Sequence, residues 1–200
     1  MLNDRRWFAK MAVAALCALL IPALVGWWLL YGWSVEIARR TLAGEAEVLP
    51  SWRKPWPLLY DGMRGCLTYL IYMLPFGLLE AGAWALRTLV GGSLASAVAT
   101  VLGLGALLWL LLAGYWMVGV TLVLARGGGL RQTLDLGGVR RLLIDNATPY
   151  QVAHIGVLLI APLLAVGGAL FLGIGALLGI GWSFALSGRL YAQAYLQAHE

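Results

Sequence analysis

Long stretches of this chain carry no charge at all. Met11–Val35 runs for 25 residues without Asp, Glu, Lys or Arg, Thr88–Ala125 for 38, and Asn146–Gly188 for 43. A helix that crosses the hydrocarbon core of a bilayer needs about 20 apolar residues. Each run therefore predicts at least one membrane helix, and the last has room for two. Gly65–Leu79 is only 15 residues, but it reaches span length when Glu80 sits at the far interface and the helix continues to Leu86. The pattern predicts an all-α fold, a polytopic helical membrane protein of about four to six membrane segments in one domain over residues 1–200. The segments fall at residues 11–35, 65–86, 98–125, 149–167 and 169–190, with polar connections at 36–64 and 126–148.

The two connections echo each other. Gly32 to Arg39 reads "GWSVEIAR" and Gly119 to Arg126 reads "GVTLVLAR", an offset of 87 residues. The same offset pairs Arg53 with Arg140, Lys54 with Arg141 and Pro75 with Pro162. Single matches among Gly, Ala and Leu carry little weight in so biased a chain. A registered set that includes basic pairs and prolines predicts a duplication: two units, each a helix, a basic connection and a second helix broken by proline. Units repeated without inversion place their connections on one side of the membrane. Five Arg or Lys residues lie in Gly32–Arg64 and four in Arg126–Asp145, against Arg87 alone between them. Excess positive charge marks the cytoplasmic side.

The N-terminus complicates this arrangement. Arg5, Arg6 and Lys10 precede the first apolar run and would be extracytoplasmic if Met11–Val35 crossed once. Alternatively, the segment breaks near Pro22 and re-enters, which requires its broken backbone to be buried in protein. Repeat symmetry favours crossing and charge favours re-entry. The run resembles a signal peptide at its start, but its apolar stretch continues through Trp27, Trp28, Leu29 and Leu30, beyond the 7–15 residues of a cleaved signal core. It is expected to be retained.

Helix boundaries are legible in places. Val35, Ala38 and Leu42 continue the first helix past the interface. Leu136, Val139 and Leu143 form a stripe beside Arg140 and Arg141, suited to a helix on the membrane surface. In "DNATPY", Thr148 is the expected N-cap and Pro149 the first helical residue. Pro55 and Pro57 open the corresponding helix, and Gly127–Gly129 ends the one before the second connection. Trp27, Trp28, Trp33, Trp52 and Trp56 cluster about the first interface as an aromatic belt would. Gly175 and Gly179 form a small-xxx-small pair that permits close helix packing.

Composition removes several function classes. At 62% hydrophobic and 12% charged residues, the chain falls far from the roughly 25% charge of a soluble domain. Its net charge of +5 sits at the inner interface, which argues for anionic lipid and against nucleic acid. Arg39, Arg40, Arg53, Lys54, Arg140 and Arg141 are the expected lipid or partner contacts, each contributing about 1 kcal/mol next to an anionic membrane surface. Cys17 and Cys66 form no disulfide framework and have no metal-ligand spacing.

Glu80 and His154 are the polar candidates within the membrane, where acids often mark ion paths. Glu80 stands about where its span ends, with Arg87 two turns on, which suits an interfacial cap or ion pair. His154 has no second His, Cys or carboxylate at i+3 or i+4, so no metal is predicted, nor any cofactor. Ser34, Ser183 and Ser187 lack an adjacent base. No nucleophile elbow, zinc-protease helix or phosphate-loop lysine is present.

Four stretches together resemble the prokaryotic membrane proteins called domain-of-unknown-function 4013. They are "GWSVEIARRTLAGEAEVLPSW", "LLYDGMRG" leading into "YLIYMLP", "LARGGGLRQTLDLGGVRRLLIDNATPY" and "GRLYAQAY". The resemblance implies a compact helical membrane domain and supplies no activity or catalytic residue. It fails in one place: the family tends to be acidic after Leu-Pro-x-Trp, whereas this chain has Arg53 and Lys54.

The functional expectation is a non-catalytic accessory or assembly subunit of a larger membrane complex in the bacterial inner membrane. The alternatives are a small-solute or ion transporter, which requires a polar cavity at membrane depth, and a membrane enzyme acting on lipid through Asp61, Arg64, Asp145 and Arg141.

Overall fold

The computed structural model describes residue 4, residues 6–169 and residues 174–199. All regular structure among them is helical. The helices are α1 (Trp7–Leu19), α2 (Val25–Leu42), α3 (Pro55–Ala85), α4 (Gly92–Ala125), α5 (Leu130–Thr133), α6 (Leu136–Ile144), α7 (Ala147–Ala169) and α8 (Ile174–Ala198). Three helical stretches, Pro55–Val90, Gly92–Ala125 and Ala147–Gly168, are long and apolar enough to cross a membrane.

The first segment is a hairpin. Pro22 removes a backbone donor and cannot continue a helix. Around it the chain passes through a 3₁₀ turn, Ile21–Ala23, to Leu24, whose φ of 62° lies in the left-handed region. Gly26 then packs so closely on Cys17 and Leu20 that a methyl group there would strike their backbone. The reversal brings the chain start beside the first connection. The Lys10 ammonium donates to the Asp4 carboxylate and to the Leu49 carbonyl, both at 2.6 Å, and the Trp52 indole donates to the Lys10 carbonyl at 2.9 Å. Burial pushes the Asp4 carboxyl up, but Lys10 and the Arg6 amide outweigh it and hold its pKa below the ordinary value. At about 1.5 Å per residue, the 13-residue α1 is shorter than a bilayer core. Arg5 lies outside the described residues.

α2 packs antiparallel on α3 at Gly32 and Gly62, where the two backbones touch. α3 continues through a π-helical end, Leu86–Val90, and turns at Gly91 and Gly92, with φ of 68° and 84°, into α4. Such values are cheap only for glycine. From Pro75 to Leu108 the fully buried side chains of this hairpin are alanines: Ala83, Ala95, Ala99 and Ala106. Its far half is therefore two helices in close contact, with Leu79 and Leu102 packed over Gly105 and Gly82 and most of the other large side chains facing outward.

All four terminal carbonyls of α4 are satisfied. Arg126 N–H bonds Leu122, Gly128 N–H bonds Val123 and Gly127 N–H bonds Leu124. This is the Schellman pattern, with Gly127 at φ 84°. The Arg39 guanidinium, from α2, donates to Leu124 and to Ala125 at 3.3 Å each. α5 then tucks against α3: the Thr133 hydroxyl lies 2.8 Å from that of Thr68, and the Tyr72 hydroxyl donates to the Thr133 carbonyl at 2.7 Å.

α6 buries Val139 and Leu143 under Gly119, while Leu136, the third member of the predicted stripe, is 47% exposed. α7 begins at Ala147, so Thr148 lies inside its first turn and not at the N-cap. Pro149 is tolerated there because the first amides of a helix have no intrahelical partner.

α8 returns along α7. A methyl on Gly175 would strike the Gly168 carbonyl, and one on Gly179 the Leu164 carbonyl, so both predicted packing glycines face α7. Residues 170–173 of the predicted segment 169–190 lie outside the described residues.

Two features of the predicted repeat differ. α3 and α7 run unbroken through Pro75 and Pro162. Loss of one ladder bond is tolerated where helix continues on both sides and neighbouring helices pack against it. The offset of 87 also slips against the elements: counted from Leu42, the end of α2, it lands on Gly129, past the end of α4. From Pro55, the start of α3, it lands on Leu142, inside α6. The motif glycines do share a role. Gly32 receives the first turns of α3 and Gly119 receives α6, each a part of the connection that follows its motif.

Candidate functional site

The ends of α2, α4, α6 and α8, the starts of α1, α3 and α7, and both connections meet at one end of the bundle. There Arg39 ties three helices together. It pairs with Glu36 on its own helix and donates to Asp61 of α3 at 2.8 Å, besides the two α4 carbonyls. Burial works against the charge of this guanidinium, but Asp61 and Glu36 more than offset it and hold its pKa above the ordinary value. Arg40 pairs with Glu36 at 3.0 Å and with Glu45 at 3.6 Å. These two arginines are engaged within the fold.

Arg53, Lys54, Arg140 and Arg141 are exposed and form no ion pair among the described residues. Arg53 lines an open crevice of about 730 Å³ with Arg6, Lys10, Asp4 and Glu47. Asp61 is engaged by Arg39 and Arg64, while Asp145 and Arg141 stand exposed at the end of α6. The four groups considered for lipid chemistry do not form one site.

Towards the middle of the bundle, α2, α3, α4, α7 and α8 surround a cavity of about 390 Å³. Its apolar wall includes Trp27, Tyr69, Met117 and Phe184. Trp27 stacks on Tyr69 with centroids 6.4 Å apart and meets Phe184 edge-on at 6.0 Å. The hydroxyls on its border are mostly engaged: Tyr31 lies 2.9 Å from Thr121, Ser183 donates to Gly179, and Ser187 donates to Phe184.

His154 is different. It is 9% exposed, it lines the cavity, and neither of its buried ring nitrogens has a partner among the described residues. Tyr115 meets its ring edge-on at 5.8 Å, and the missing side chain of Gly114 leaves room beside it. Buried polar groups are normally bonded, so an imidazole whose two buried nitrogens lack a partner beside a cavity is an exception that calls for an explanation.

The family described as "Protein of unknown function (DUF4013)" matches residues 15–184. The chain belongs to this family. Neither the curated proteins nor the solved structures offer a match to it. For this DUF4013 chain, then, roles must be read from its own geometry.

Of the two polar candidates, His154 faces the cavity and Glu80 does not. Glu80 is half-buried, its carboxylate over Gly103 of α4, and it forms no ion pair with the exposed Arg87. Thr100 bonds only within its own helix. No group of three His, Cys, Asp or Glu side chains comes together among the described residues.

The cavity itself was missed from sequence, although a signal existed. Ser183, Ser187 and Tyr191 recur every fourth residue of α8, and His154, Leu158 and Ala161 share one face of α7. Residues three and four apart line one face of a helix, and a polar stripe inside an apolar helix must face something other than lipid.

Proposed function

We propose that this protein is a non-catalytic accessory subunit of the cytoplasmic membrane that works within a larger membrane assembly. The observation that carries this reading is the far half of the α3–α4 hairpin. Among the described residues its π-helical end packs on α3 and α4 alone, and many of its large residues point outward, among them Leu78 at 74% exposure, Trp84 at 65% and Leu94 at 78%. The charged end, meanwhile, spends Arg39, Arg40 and Asp61 on internal pairing. A rigid apolar arm with its chemistry confined to self-bracing suits a part that docks against other membrane helices. Purification from native membrane in mild detergent tests this. The expected result is a complex with at least one other membrane protein, and a lone monomer would sink the reading.

The connections at residues 36–64 and 126–148 belong on the cytoplasmic side in this proposal, because the unpaired cations gather there. Arg53, Lys54, Arg140 and Arg141 meet anionic head groups on that face. The hairpin of α1 and α2 enters from the same side and re-enters without crossing, which reconciles the basic N-terminus with the positive connections. A cysteine in place of Phe8 or Lys54 is expected to react with an impermeant thiol reagent only from the cytoplasmic side, and one in place of Thr88 only from the opposite side. Labelling of the Phe8 position from outside would replace re-entry with a crossing.

A further inference from the structure

We infer that the cavity beside His154 binds a neutral, ring-bearing lipid with a carbonyl or hydroxyl oxygen on the ring, of the class of quinones and cyclic alcohols. The inference goes beyond the accessory role and does not depend on it. Three observations carry it. Its volume of about 390 Å³ falls in the range of small-molecule sites, which are mostly apolar with a few placed polar groups. None of its lining residues is Asp, Glu, Lys or Arg, so an ionised ligand would be buried without a counter-charge, at high cost. The two nitrogens of His154, buried at the cavity wall without a partner among the described residues, supply the polar contact when the ring turns towards the ligand. A neutral imidazole offers one donor and one acceptor, and so accepts either a ring carbonyl or a ring hydroxyl.

The wall of Trp27, Tyr69 and Phe184 favours a ring over a simple chain, since aromatic faces and edges pair with one another at such separations. Access comes from the side. Among the described residues α3 packs directly on neither α7 nor α8, and we take the gap between the α3–α4 and α7–α8 hairpins as the route by which a lipid arrives. Polar solutes are poorly served by such a mouth.

The test uses the full chain purified in detergent, titrated with decylubiquinone, with cholesterol as a polycyclic alcohol, and with 1-dodecanol as a ringless control. Thermal unfolding and tryptophan fluorescence are the readouts. At least one ring compound is expected to raise the unfolding midpoint and change the fluorescence saturably, while 1-dodecanol does neither. His154→Leu should weaken that binding at least tenfold. In the ligand-free protein the same change should raise the midpoint, because an unpaired buried polar group is replaced by an apolar one. Ala161→Phe fills the cavity from α7 while keeping His154, and should block binding in a protein that still unfolds cooperatively. The quinone and the alcohol arms separate the two sources of the ring oxygen. Equal binding of 1-dodecanol, failure of both ring compounds, or unchanged affinity in both variants would overturn the inference.

Discussion

Gly62→Leu is expected to separate α2 from α3 and to cost more than about 4 kcal/mol, beyond the 0.5–3 kcal/mol of most substitutions. A side chain at Gly62 would be driven into the Trp28 carbonyl, and one at Gly32 into the Leu58 carbonyl. Both obstacles are backbone, so no rotamer change relieves them and the helices themselves must part. Parting them would also disturb the neighbouring contacts, Tyr31 over Gly65 and Trp27 on Tyr69, which line the cavity. Gly32→Leu should therefore fail in the same way. Gly77→Ala is the control: nothing lies within 4 Å of the added methyl group, and alanine is favoured over glycine inside a helix by up to about 1 kcal/mol. Thermal unfolding in detergent measures all three. A Gly62→Leu protein as stable as Gly77→Ala would show that the helix crossing lies elsewhere.

Arg39→Ala is the second large effect, a loss of about 2–3 kcal/mol. Hydrogen bonds to charged groups contribute roughly 1.5–3 kcal/mol, and leaving a partner unmet adds its desolvation. Arg39 holds the mostly buried Asp61 carboxylate and the last two carbonyls of α4. Its positive charge also sits at the negative end of the α4 dipole, a favourable placement. Asp61→Asn should cost less, since the amide oxygen still accepts from Arg39 and the α4 carbonyls keep their donor. Asp61→Ala combined with Arg39→Ala should cost less than the two single losses added together, because one interaction is removed only once. Additivity in that double-mutant cycle would mean the two residues act independently.

The membrane class of the chain was legible because charge-free runs are a one-dimensional signal. Segment ends followed where local chemistry dominates: Pro55 starts α3, and Gly127 ends α4. Thr148 was misplaced because helix starts blur by a residue or two when no side-chain cap fixes them. Pro75 and Pro162 looked like breaks because a proline's cost is visible in sequence while the neighbours that absorb it are not.

Arg39 was expected as a lipid or partner contact, and in the fold it braces Asp61 and the end of α4. Basic residues at an interface look alike until one knows which lie beside a carboxylate and a helix end. His154 was singled out as a lone histidine, and its value comes from Gly114 and α8 standing across from it, contacts about 30–40 residues away in sequence. Trp33 was placed in an aromatic belt, yet it is fully buried and stacked on Trp52 at 5.2 Å. The antiparallel return of α1 turns a belt position into core.

In the proposed topology that return would also simplify the biogenesis of the protein. Between Gly65 and Ala125 the chain carries only Glu80 and Arg87, and from Asn146 to Gly188 it carries no charge. If α1 and α2 dip in and out on one side, as proposed above, the insertion machinery would have two charged groups to translocate, both near the far end of a single helical hairpin. Every other charged side chain would then stay in the compartment where it was synthesised.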